Sequence, residues 1–298
     1  MTALIGIDWG TSSLRAALMD ERGEVEDEVF MPRGILTIPA DGFAQVLQEV
    51  TARWPQHDPA LRVACGMVGS RQGWLEAPYC ACPAGFDDLA RQLAWVEAGR
   101  IAIVPGMSCE RQGVPDVMRG EETQVFGALA LLGLRSALLV LPGTHSKWVR
   151  VVDGRIQGFT TFMTGEFYAL LRQHSILART LPQAEAELDE DAFAQGVRHA
   201  LVMRSLLHTA FSVRTLSLFS RLREEAAVSY LSGLVIGEEL RAQELAATAQ
   251  PVIVVGADAL TRRYSLALGL LGVPAHAVGS QATWRGLWAI TQALEKDA

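Results

Sequence analysis

The sequence contains no long hydrophobic run, although half of its 298 residues are apolar. A helix that spans a bilayer needs about 20 consecutive apolar residues, so we expect no membrane partner. The N-terminus also lacks a basic stretch followed by an apolar one, which argues against a secretory signal. The chain has no low-complexity tract and no short repeat. These absences indicate a globular protein of the cytoplasm.

Positive charge is scarce as well. The chain has 26 lysine and arginine residues against 33 aspartate and glutamate residues, which gives a formal net charge of −7. Proteins that bind nucleic acid usually carry a broad basic surface, so we expect no nucleic-acid partner. A local basic pocket is still compatible with this balance, and a small anion is therefore a reasonable ligand.

Cysteine is the third scarce component, with four residues in the chain. Cys80 and Cys82 are separated by one residue instead of the usual two, and no second pair follows them. The spacing therefore does not indicate a zinc site. Reduced thiols are the expectation for a cytosolic protein.

The length of the chain predicts its division into lobes. A chain of 298 residues exceeds what one hydrophobic core usually supports, so two lobes of roughly 120 to 170 residues are expected. We place these lobes at residues 1–125 and 126–298. Helical spacing of apolar residues predicts a last helix over 280–294, which we expect to pack back toward the first lobe.

A glycine-and-hydroxyl turn near the N-terminus, the first corner, closes a predicted hairpin. The strand Leu4–Ile7 reaches a carboxylate at Asp8, and the corner then consists of Gly10, Thr11, Ser12 and Ser13. Glycine lets a ligand approach the backbone, and the N–H groups and hydroxyls suit phosphate oxygens. At the end of the strand, Asp8 is placed to hold Mg²⁺ beside those oxygens. An ordinary hairpin turn is the alternative interpretation.

A second corner repeats this pattern far downstream. The strand Ala137–Leu141 runs into a polar turn, and the predicted phosphate-binding residues are Gly143, Thr144, His145, Ser146 and Lys147. We interpret His145 as an orienting or packing residue, and Lys147 either neutralises phosphate charge or is simply solvated. The two corners are about 130 residues apart in the chain. We expect them to face each other and to hold one polyphosphate from opposite sides.

A third nucleotide-binding candidate follows the buried strand predicted over 251–255. The strand ends in a glycine turn and a helix, and the candidate residues are Gly256, Ala257, Asp258 and Leu260. Open α/β sheets bind nucleotides at such turns, at the carboxyl ends of their strands.

The loop over 69–76 is the predicted pocket for an anionic substrate. Arg71 is the first candidate for a bidentate clamp on a carboxylate, and Arg119 is the second. Gln72 and Trp74 belong to the same loop, where Trp74 could wall off the pocket. The alternative is a surface arginine beside a packing tryptophan.

Acidic residues begin two predicted helices. Glu121 and Glu122 start the first of them, and one of the two is a candidate base that orients a substrate hydroxyl. The alternative is that both carboxylates only stabilise the start of the helix through its dipole. Thr164 is a predicted N-cap of the second helix. Thr164 and Glu166 are further substrate-binding candidates, and Glu166 is also a lower-ranked base.

Three motifs resemble those of the sugar-kinase branch of the actin-like ATPase superfamily. Residues 5–13 resemble its first phosphate motif, 141–149 its second, and 254–260 its adenosine motif. The resemblance implies an α/β fold of the two-lobed, ribonuclease H-like kind, with mixed sheets flanked by helices and a cleft between the lobes. It also implies ATP and Mg²⁺ as cofactors.

Longer stretches at 66–74, 115–124, 141–148 and 161–166 resemble the 2-dehydro-3-deoxygalactonokinase family, and the resemblance covers essentially the whole chain. It implies transfer of the ATP γ-phosphoryl group to the 6-hydroxyl of 2-dehydro-3-deoxy-D-galactonate, a small sugar acid, in galactonate breakdown. Many superfamily relatives have an aspartate where this chain has Glu121 and Glu122. The identity of the base is therefore left open.

Two other classes of function share these motifs. One is another phosphotransferase of the superfamily, acting on a different sugar acid or as an acyl-phosphate kinase or phosphatase. The other is a non-enzymatic nucleotide switch, which would need no substrate pocket. The loop with Arg71 and Trp74 favours a sugar-acid kinase over a switch. The oligomeric state is left open, and a homodimer is one candidate.

Overall fold

The computed structural model describes residues 3–57, 60–182, 187–203, 205–245 and 250–296. Its strands are β1 (Leu4–Trp9), β2 (Leu14–Met19), β3 (Val25–Met31), β4 (Leu61–Cys65), β5 (Tyr79–Ala81), β6 (Ala94–Glu97), β7 (Ile101–Ile103), β8 (Gly106–Arg111), β9 (Val114–Met118), β10 (Ala137–Leu141), β11 (Ser146–Val152), β12 (Arg155–Phe162), β13 (Val252–Val255) and β14 (Ala275–Val278). Its helices are α1 (Phe43–Thr51), α2 (Phe86–Arg91), α3 (Glu121–Leu132), α4 (Thr164–His174), α5 (Glu190–Met203), α6 (Leu206–Thr209), α7 (Ser212–Leu218), α8 (Glu224–Ala242), α9 (Asp258–Leu270) and α10 (Gln281–Lys296).

The chain divides by its internal contacts into two compact units. Unit 1 comprises Met1–Leu139, Val149–Thr160 and Val278–Ala298, and unit 2 comprises Val140–Trp148 and Thr161–Ala277. This division differs from the boundary expected after residue 125, which falls inside α3. The whole of α3 belongs to unit 1, and most of its residues from Glu122 to Leu129 are buried.

Unit 1 is built on a mixed sheet with the strand order β3-β2-β1-β4-β7-β6. β1 is antiparallel to β2 and parallel to β4. It is apolar and buried along most of its length, as a strand in the middle of a sheet should be. Because β1 and β4 are parallel and in register, Asp8 and Cys65 lie side by side at their carboxyl ends.

Two helices of unit 1, α3 and α10, approach each other backbone to backbone. A Cβ atom on Gly127 would lie 1.7 Å from the carbonyl oxygen of Ala282, and one on Gly286 would lie 1.9 Å from that of Thr123. On α3, Phe126 also contacts Phe86, with ring centroids 4.4 Å apart. These contacts fix the position of α3 and therefore of the acidic residues at its start.

Unit 2 contains a helical layer in which α5 packs closely on α8. A Cβ atom on Gly233 would lie 2.1 Å from the carbonyl oxygen of Phe193, and one on Gly196 would lie 2.2 Å from that of Tyr230. The chain also has a second sheet, with the strand order β12-β11-β10-β13-β14, of which β13 belongs to unit 2. All four residues of β13 are buried, as the apolar run predicted.

Three findings bear on the classes of protein considered above. In the described part of the chain, no helix is both long enough and apolar enough to cross a membrane. The four cysteines are free thiols. Over the same described residues, no three His, Cys, Asp or Glu side chains converge on a possible metal position.

Candidate active site

The first corner joins β1 to β2 in unit 1. The Gly10 N–H donates to the carbonyl oxygen of Ser13 at 2.9 Å, and Thr11 and Ser12 are exposed. The corner is backed by Gly34, whose Cβ position would lie 2.1 Å from the carbonyl oxygen of Thr11. The backbone of the turn is therefore fixed from behind, and its hydroxyl side faces outward.

Asp8 lies just before this corner, at the end of β1. Its Oδ2 accepts a hydrogen bond from the Arg15 guanidinium on β2 at 2.6 Å. Arg15 also lies over the Trp284 ring, 5.4 Å from its centroid. The other carboxylate oxygen, Oδ1, lies 3.5 Å from the Cβ position of Gly66, which has φ +91°. A larger side chain at residue 66 would crowd this carboxylate.

The acidic start of α3 contains one buried and one partly exposed glutamate. Glu122 is fully buried, and its two carboxylate oxygens accept the Gly120 N–H at 2.9 and 2.8 Å. Burial, followed by the charge of Glu121, raises the pKa of the Glu122 carboxyl to about 7. Glu121 is partly exposed, and its Oε2 accepts the Arg119 N–H at 2.9 Å.

Asp8 and the start of α3 come together at the end of β4. Burial raises the pKa of the Cys65 thiol, and the charges of Asp8 and Glu122 raise it further. A Cβ atom on Gly120 would also lie 3.1 Å from the Cα of Gly66, so α3 begins directly against the residue that follows β4. The structure thus places the predicted metal ligand and the predicted base candidates in one region of unit 1.

The loop over 69–76 differs in part from its prediction. The Arg71 side chain is 88% exposed, and its nearest acidic partner is Glu76, at 3.5 Å. Gln72 is also exposed. Trp74 instead packs against the core, with its ring stacked 6.3 Å from that of Phe43. The packing interpretation of this tryptophan is therefore the one that its contacts support.

Arg119 lies between this loop and α3. Its Nη2 donates to the carbonyl oxygen of Ala77 at 2.8 Å, and its guanidinium lies 4.4 Å from the centroid of the Tyr79 ring. Its Nε and Nη1 atoms are buried and have no hydrogen-bond partner among the described residues. Arg119 thus anchors the end of the loop that carries Arg71.

The second corner is shorter than predicted, because β11 already begins at Ser146. Ser146 is fully buried and donates from Oγ to Glu239 at 2.8 Å. Lys147 is also buried, and its Nζ donates to Thr161 Oγ1 at 2.8 Å. The side chains of both residues therefore donate to other protein groups. Of the predicted phosphate-binding residues here, Gly143, Thr144 and His145 lie in the turn between β10 and β11.

The start of α4 packs directly behind the second corner. A Cβ atom on Gly165 would lie 2.4 Å from the carbonyl oxygen of Gly143, and the Glu166 N–H donates to that of Thr144 at 3.0 Å. His145 Nε2 lies 2.6 Å from Glu166 Oε2. Glu166 therefore holds the imidazole of His145 in place, and the orienting or packing role suggested for this histidine stays a prediction.

A cavity of about 340 Å³ lies within unit 2 beside this corner. It is lined by Gly143, Thr164, Gly165, Tyr168, Arg172, Val228, Ser232, Val235, Ile236, Ala259, Leu260, Arg263 and Tyr264. Leu260, from the third nucleotide-binding candidate, is in this lining. Gly256 and Ala257 precede α9, and Asp258 is its first residue. These three candidates therefore come directly before Ala259 and Leu260, which line the cavity. Thr164, predicted to bind the acceptor substrate, lines the same cavity as Gly143 and Leu260.

Glu239 is a residue of this region that the sequence did not single out. It is 2% exposed and lies on α8. Its carboxylate accepts hydrogen bonds from Ser146, Trp148, Thr164 and Tyr264. The sequence could have indicated this residue, because Glu239 lies in a largely apolar helix that contains glycines. A carboxylate that is buried in such a helix needs hydrogen-bond partners.

Comparison with known proteins gives three findings. The family model for 2-keto-3-deoxy-galactonokinase matches residues 8–290. The 2-dehydro-3-deoxygalactonokinase of Escherichia coli (strain K12) is 37% identical over 297 residues, which covers 99% of each chain. A crystal structure from Sinorhizobium meliloti, of a candidate 2-dehydro-3-deoxygalactonokinase, superposes with a TM-score of 0.91 at 36% identity, covering 98% of this chain and 99% of that one.

A more distant structure bears on the fold alone. Component A of the (R)-2-hydroxyglutaryl-CoA dehydratase of Acidaminococcus fermentans superposes with a TM-score of 0.55 at 13% identity, over 98% of this chain and 99% of that one. The predicted α/β fold, with mixed sheets flanked by helices, is confirmed. The family match extends over nearly the whole chain, and the sequence-based assignment to a kinase is confirmed with it. The chain belongs to the 2-keto-3-deoxy-galactonokinase family.

Proposed function

We propose that this protein is an ATP-dependent kinase that phosphorylates the 6-hydroxyl of 2-dehydro-3-deoxy-D-galactonate in galactonate breakdown. The observation that carries the proposal is the 37% identity to the Escherichia coli 2-dehydro-3-deoxygalactonokinase over 99% of both chains. The clustering of Asp8 with the acidic start of α3 supports it, since a kinase needs charged groups near the reacting oxygens. A cytoplasmic location belongs to the same proposal, because ATP is the donor.

The cavity of unit 2 is the proposed site for the nucleotide. Its volume of about 340 Å³ lies in the range usual for small-molecule pockets. The N-terminus of α4 and the Gly143 turn border it, and backbone N–H groups at a helix start favour phosphate. Arg172 and Arg263 add positive charge to the lining, which suits a polyphosphate.

Asp8 is the proposed ligand for Mg²⁺. Arg15 engages only the Oδ2 atom of this carboxylate, and Mg²⁺ in kinases is usually held by one or two carboxylates together with water and substrate phosphates. The residues present therefore fit such an ion. When bound, the ion would neutralise negative charge on the phosphate oxygens. Arg15 keeps the carboxylate oriented at the end of β1.

Glu121 is the proposed base that orients the 6-hydroxyl. A catalytic base must reach its substrate, and geometry is judged before pKa. Glu121 is partly exposed, whereas Glu122 is fully buried and its two oxygens both accept the Gly120 N–H. Glu122 instead fixes the turn from which α3 begins. Glu166, the third carboxylate considered, is engaged with His145.

The carboxylate of the sugar acid is proposed to bind Arg71. This side chain is 88% exposed and only weakly paired, so it can turn toward an incoming carboxylate. Arg119 supports it indirectly, because its hydrogen bond to Ala77 holds the end of the loop. Thr11 and Ser12 are proposed to donate to phosphate oxygens at the first corner. Gly10, whose N–H donates to Ser13, is proposed to leave room for the phosphate to approach.

Measurement of ADP release tests this function. The purified chain is incubated with ATP, Mg²⁺ and one acceptor at a time, drawn from six-carbon 2-keto-3-deoxy acids and neutral hexoses. We expect strong stimulation by 2-dehydro-3-deoxy-D-galactonate and none by neutral hexoses. Equal stimulation by a neutral hexose would contradict the sugar-acid assignment, and stimulation by no acceptor would contradict the kinase assignment to this substrate.

A further inference from the structure

The buried carboxylate of Glu239 connects four segments of unit 2. Oε1 accepts hydrogen bonds from Ser146 Oγ at 2.8 Å and from Trp148 Nε1 at 2.6 Å. Oε2 accepts hydrogen bonds from Tyr264 OH at 2.7 Å and from Thr164 Oγ1. These donors come from β11, α9 and the start of α4, while Glu239 itself belongs to α8.

Four donors are as many as one carboxylate can accept with good geometry, because its two oxygens offer about four lone-pair positions. Removing a carboxylate from water is costly unless these positions are filled. Burial raises the pKa of Glu239, and the four side-chain hydrogen bonds oppose that shift, beginning with the one from Thr164. The arrangement is therefore a fully satisfied polar centre inside an apolar layer, which holds its members rigidly.

Three of the four donors either line the cavity of unit 2 or directly follow a turn that borders it. Thr164 and Tyr264 are part of its lining, and Ser146 directly follows the turn formed by Gly143, Thr144 and His145. The turn has little freedom to shift, because Gly165 already lies in backbone contact with Gly143. Glu239 is absent from the lining and so acts on the cavity only through these neighbours.

We propose that Glu239 is a positioning residue for nucleotide binding, which fixes the second corner and the start of α4 in the arrangement that receives the phosphates. The inference rests on the proposed function, in that it takes the cavity of unit 2 as the nucleotide site. It goes beyond that function, because it names the buried Glu239 carboxylate as the group that keeps the backbone of the second corner in position.

The test compares Glu239→Gln with Glu238→Gln in the full-length chain. Glutamine keeps the shape of the side chain but replaces one acceptor oxygen with an NH₂ group, so two donors lose their acceptor. Glu238 is the adjacent residue and pairs with Arg241 outside the cavity lining, which makes it a matched control. Circular dichroism and thermal melting establish that each variant is folded, and ATP affinity is measured by titration calorimetry.

For folded Glu239→Gln we expect the Kd and KM for ATP to rise about tenfold, as for the loss of hydrogen bonds to a charged group. The KM for the sugar acid should not change, and Glu238→Gln should match the unmodified chain in both. A purely structural role would lower the melting temperature and leave the KM for ATP unaltered. Unchanged ATP affinity in the folded variant would therefore overturn the assignment.

A second variant keeps the test decisive when Glu239→Gln fails to fold. Ser146→Ala removes one donor to Glu239 at a buried position outside the cavity lining. We expect a rise of about threefold in the KM for ATP with no change for the sugar acid, and no rise would contradict the proposal. Failure of the unmodified chain to bind ATP would overturn the proposed function itself, and the two failures are thereby distinguished.

Discussion

The two corners have similar sequences but are supported in different ways. In unit 1 the acidic residue Asp8 lies at the end of the strand that enters the corner, and its carboxylate is partly exposed. In unit 2 the acidic residue Glu239 lies behind the corner, buried and 93 residues away from Ser146 in the chain. Both turns are backed by a glycine in backbone contact, Gly34 in the first and Gly165 in the second.

Under the proposed function, the difference in support assigns a different task to each corner. An exposed carboxylate can hold a cation beside phosphate oxygens, because it keeps lone pairs available to a ligand. A buried carboxylate with four donors has none to offer and can only hold its neighbours in place. We infer that the first corner contributes charge to the reaction and that the second contributes a fixed backbone.

Asp8→Asn should have the largest effect. Because the variant removes the charge that would hold Mg²⁺, we expect the rate of phosphoryl transfer to fall by about 10³-fold, as when a preorganised electrostatic group is lost. Steady-state kinetics measures this, with circular dichroism to confirm the fold. Asp20→Asn, in the exposed turn after β2, is the control and should keep its activity. Near-normal turnover in Asp8→Asn would contradict the inference that the first corner contributes charge to the reaction.

Glu122 should make the stability of the protein depend on pH. Its pKa in the folded chain is about 7, above the ordinary value of 4.5. Below pH 4.5 the carboxyl is protonated in both the folded and the unfolded chain, so its ionisation does not lower the free energy of unfolding. Between that value and about pH 7 the unfolded chain ionises while the folded chain stays protonated, so the free energy of unfolding falls by about 3 kcal/mol in total and levels off above pH 7.

The measurement is urea unfolding at pH 5 and pH 8 for the unmodified chain and for Glu122→Gln. In Glu122→Gln the free energy of unfolding should fall less between pH 5 and pH 8 than in the unmodified chain, because the titrating carboxyl is absent. Identical pH dependence in both chains would show that Glu122 is not a buried titrating group, and unit 1 would then contain no counterpart to the buried Glu239.

Glu121→Gln should lower kcat by about 10²-fold, the usual contribution of a general base. The partly exposed Glu121 should be more sensitive in this respect than Glu122, because only a group that reaches the substrate can accept its proton. The measurement is the kcat of Glu121→Gln and of Glu122→Gln at pH 7 with saturating ATP and sugar acid. A larger loss of kcat in folded Glu122→Gln would reverse the proposed roles.

Gly165→Ala and Gly10→Ala compare the two corners sterically. The new Cβ at residue 165 would lie 2.4 Å from the carbonyl oxygen of Gly143, so we expect a loss of about 2 kcal/mol in unfolding free energy. At residue 10 the nearest atom would be 3.6 Å away, so the fold should tolerate alanine. Gly10→Ala should instead weaken ATP binding, because a methyl group would occupy space at the corner where the phosphate is proposed to approach. Equal stability of both variants in urea would contradict this contrast.

Arg71→Ala should have the smallest of these effects, a rise of about tenfold in the KM for the sugar acid. The KM for ATP should stay the same, because Arg71 belongs to the loop of unit 1 and not to the cavity of unit 2. Arg100→Ala removes another exposed arginine of unit 1 and serves as the control. An unchanged KM for the sugar acid would assign the carboxylate to another group.

Local sequence patterns predicted much of the fold. β1, β10 and β13 were expected from apolar runs, and the turns after them from glycine and hydroxyl residues, because both signals depend on neighbouring residues. The unit boundary was not predictable in this way. The sequence predicted that the last helix packs back toward the first lobe, but not that α3 is its partner. The two helices are more than 140 residues apart in the chain, and their contact leaves no local mark apart from small residues such as Gly127 and Gly286.

By itself, the sequence determined the order of the motifs and the family to which the chain belongs. Only the tertiary structure decided what individual side chains do: Ser146 and Lys147 are buried, Trp74 packs on Phe43, and Glu239 accepts hydrogen bonds from residues up to 93 positions away. The physical reason is that a turn or a strand follows from adjacent residues. The burial and the partners of a polar group depend instead on segments brought together by folding.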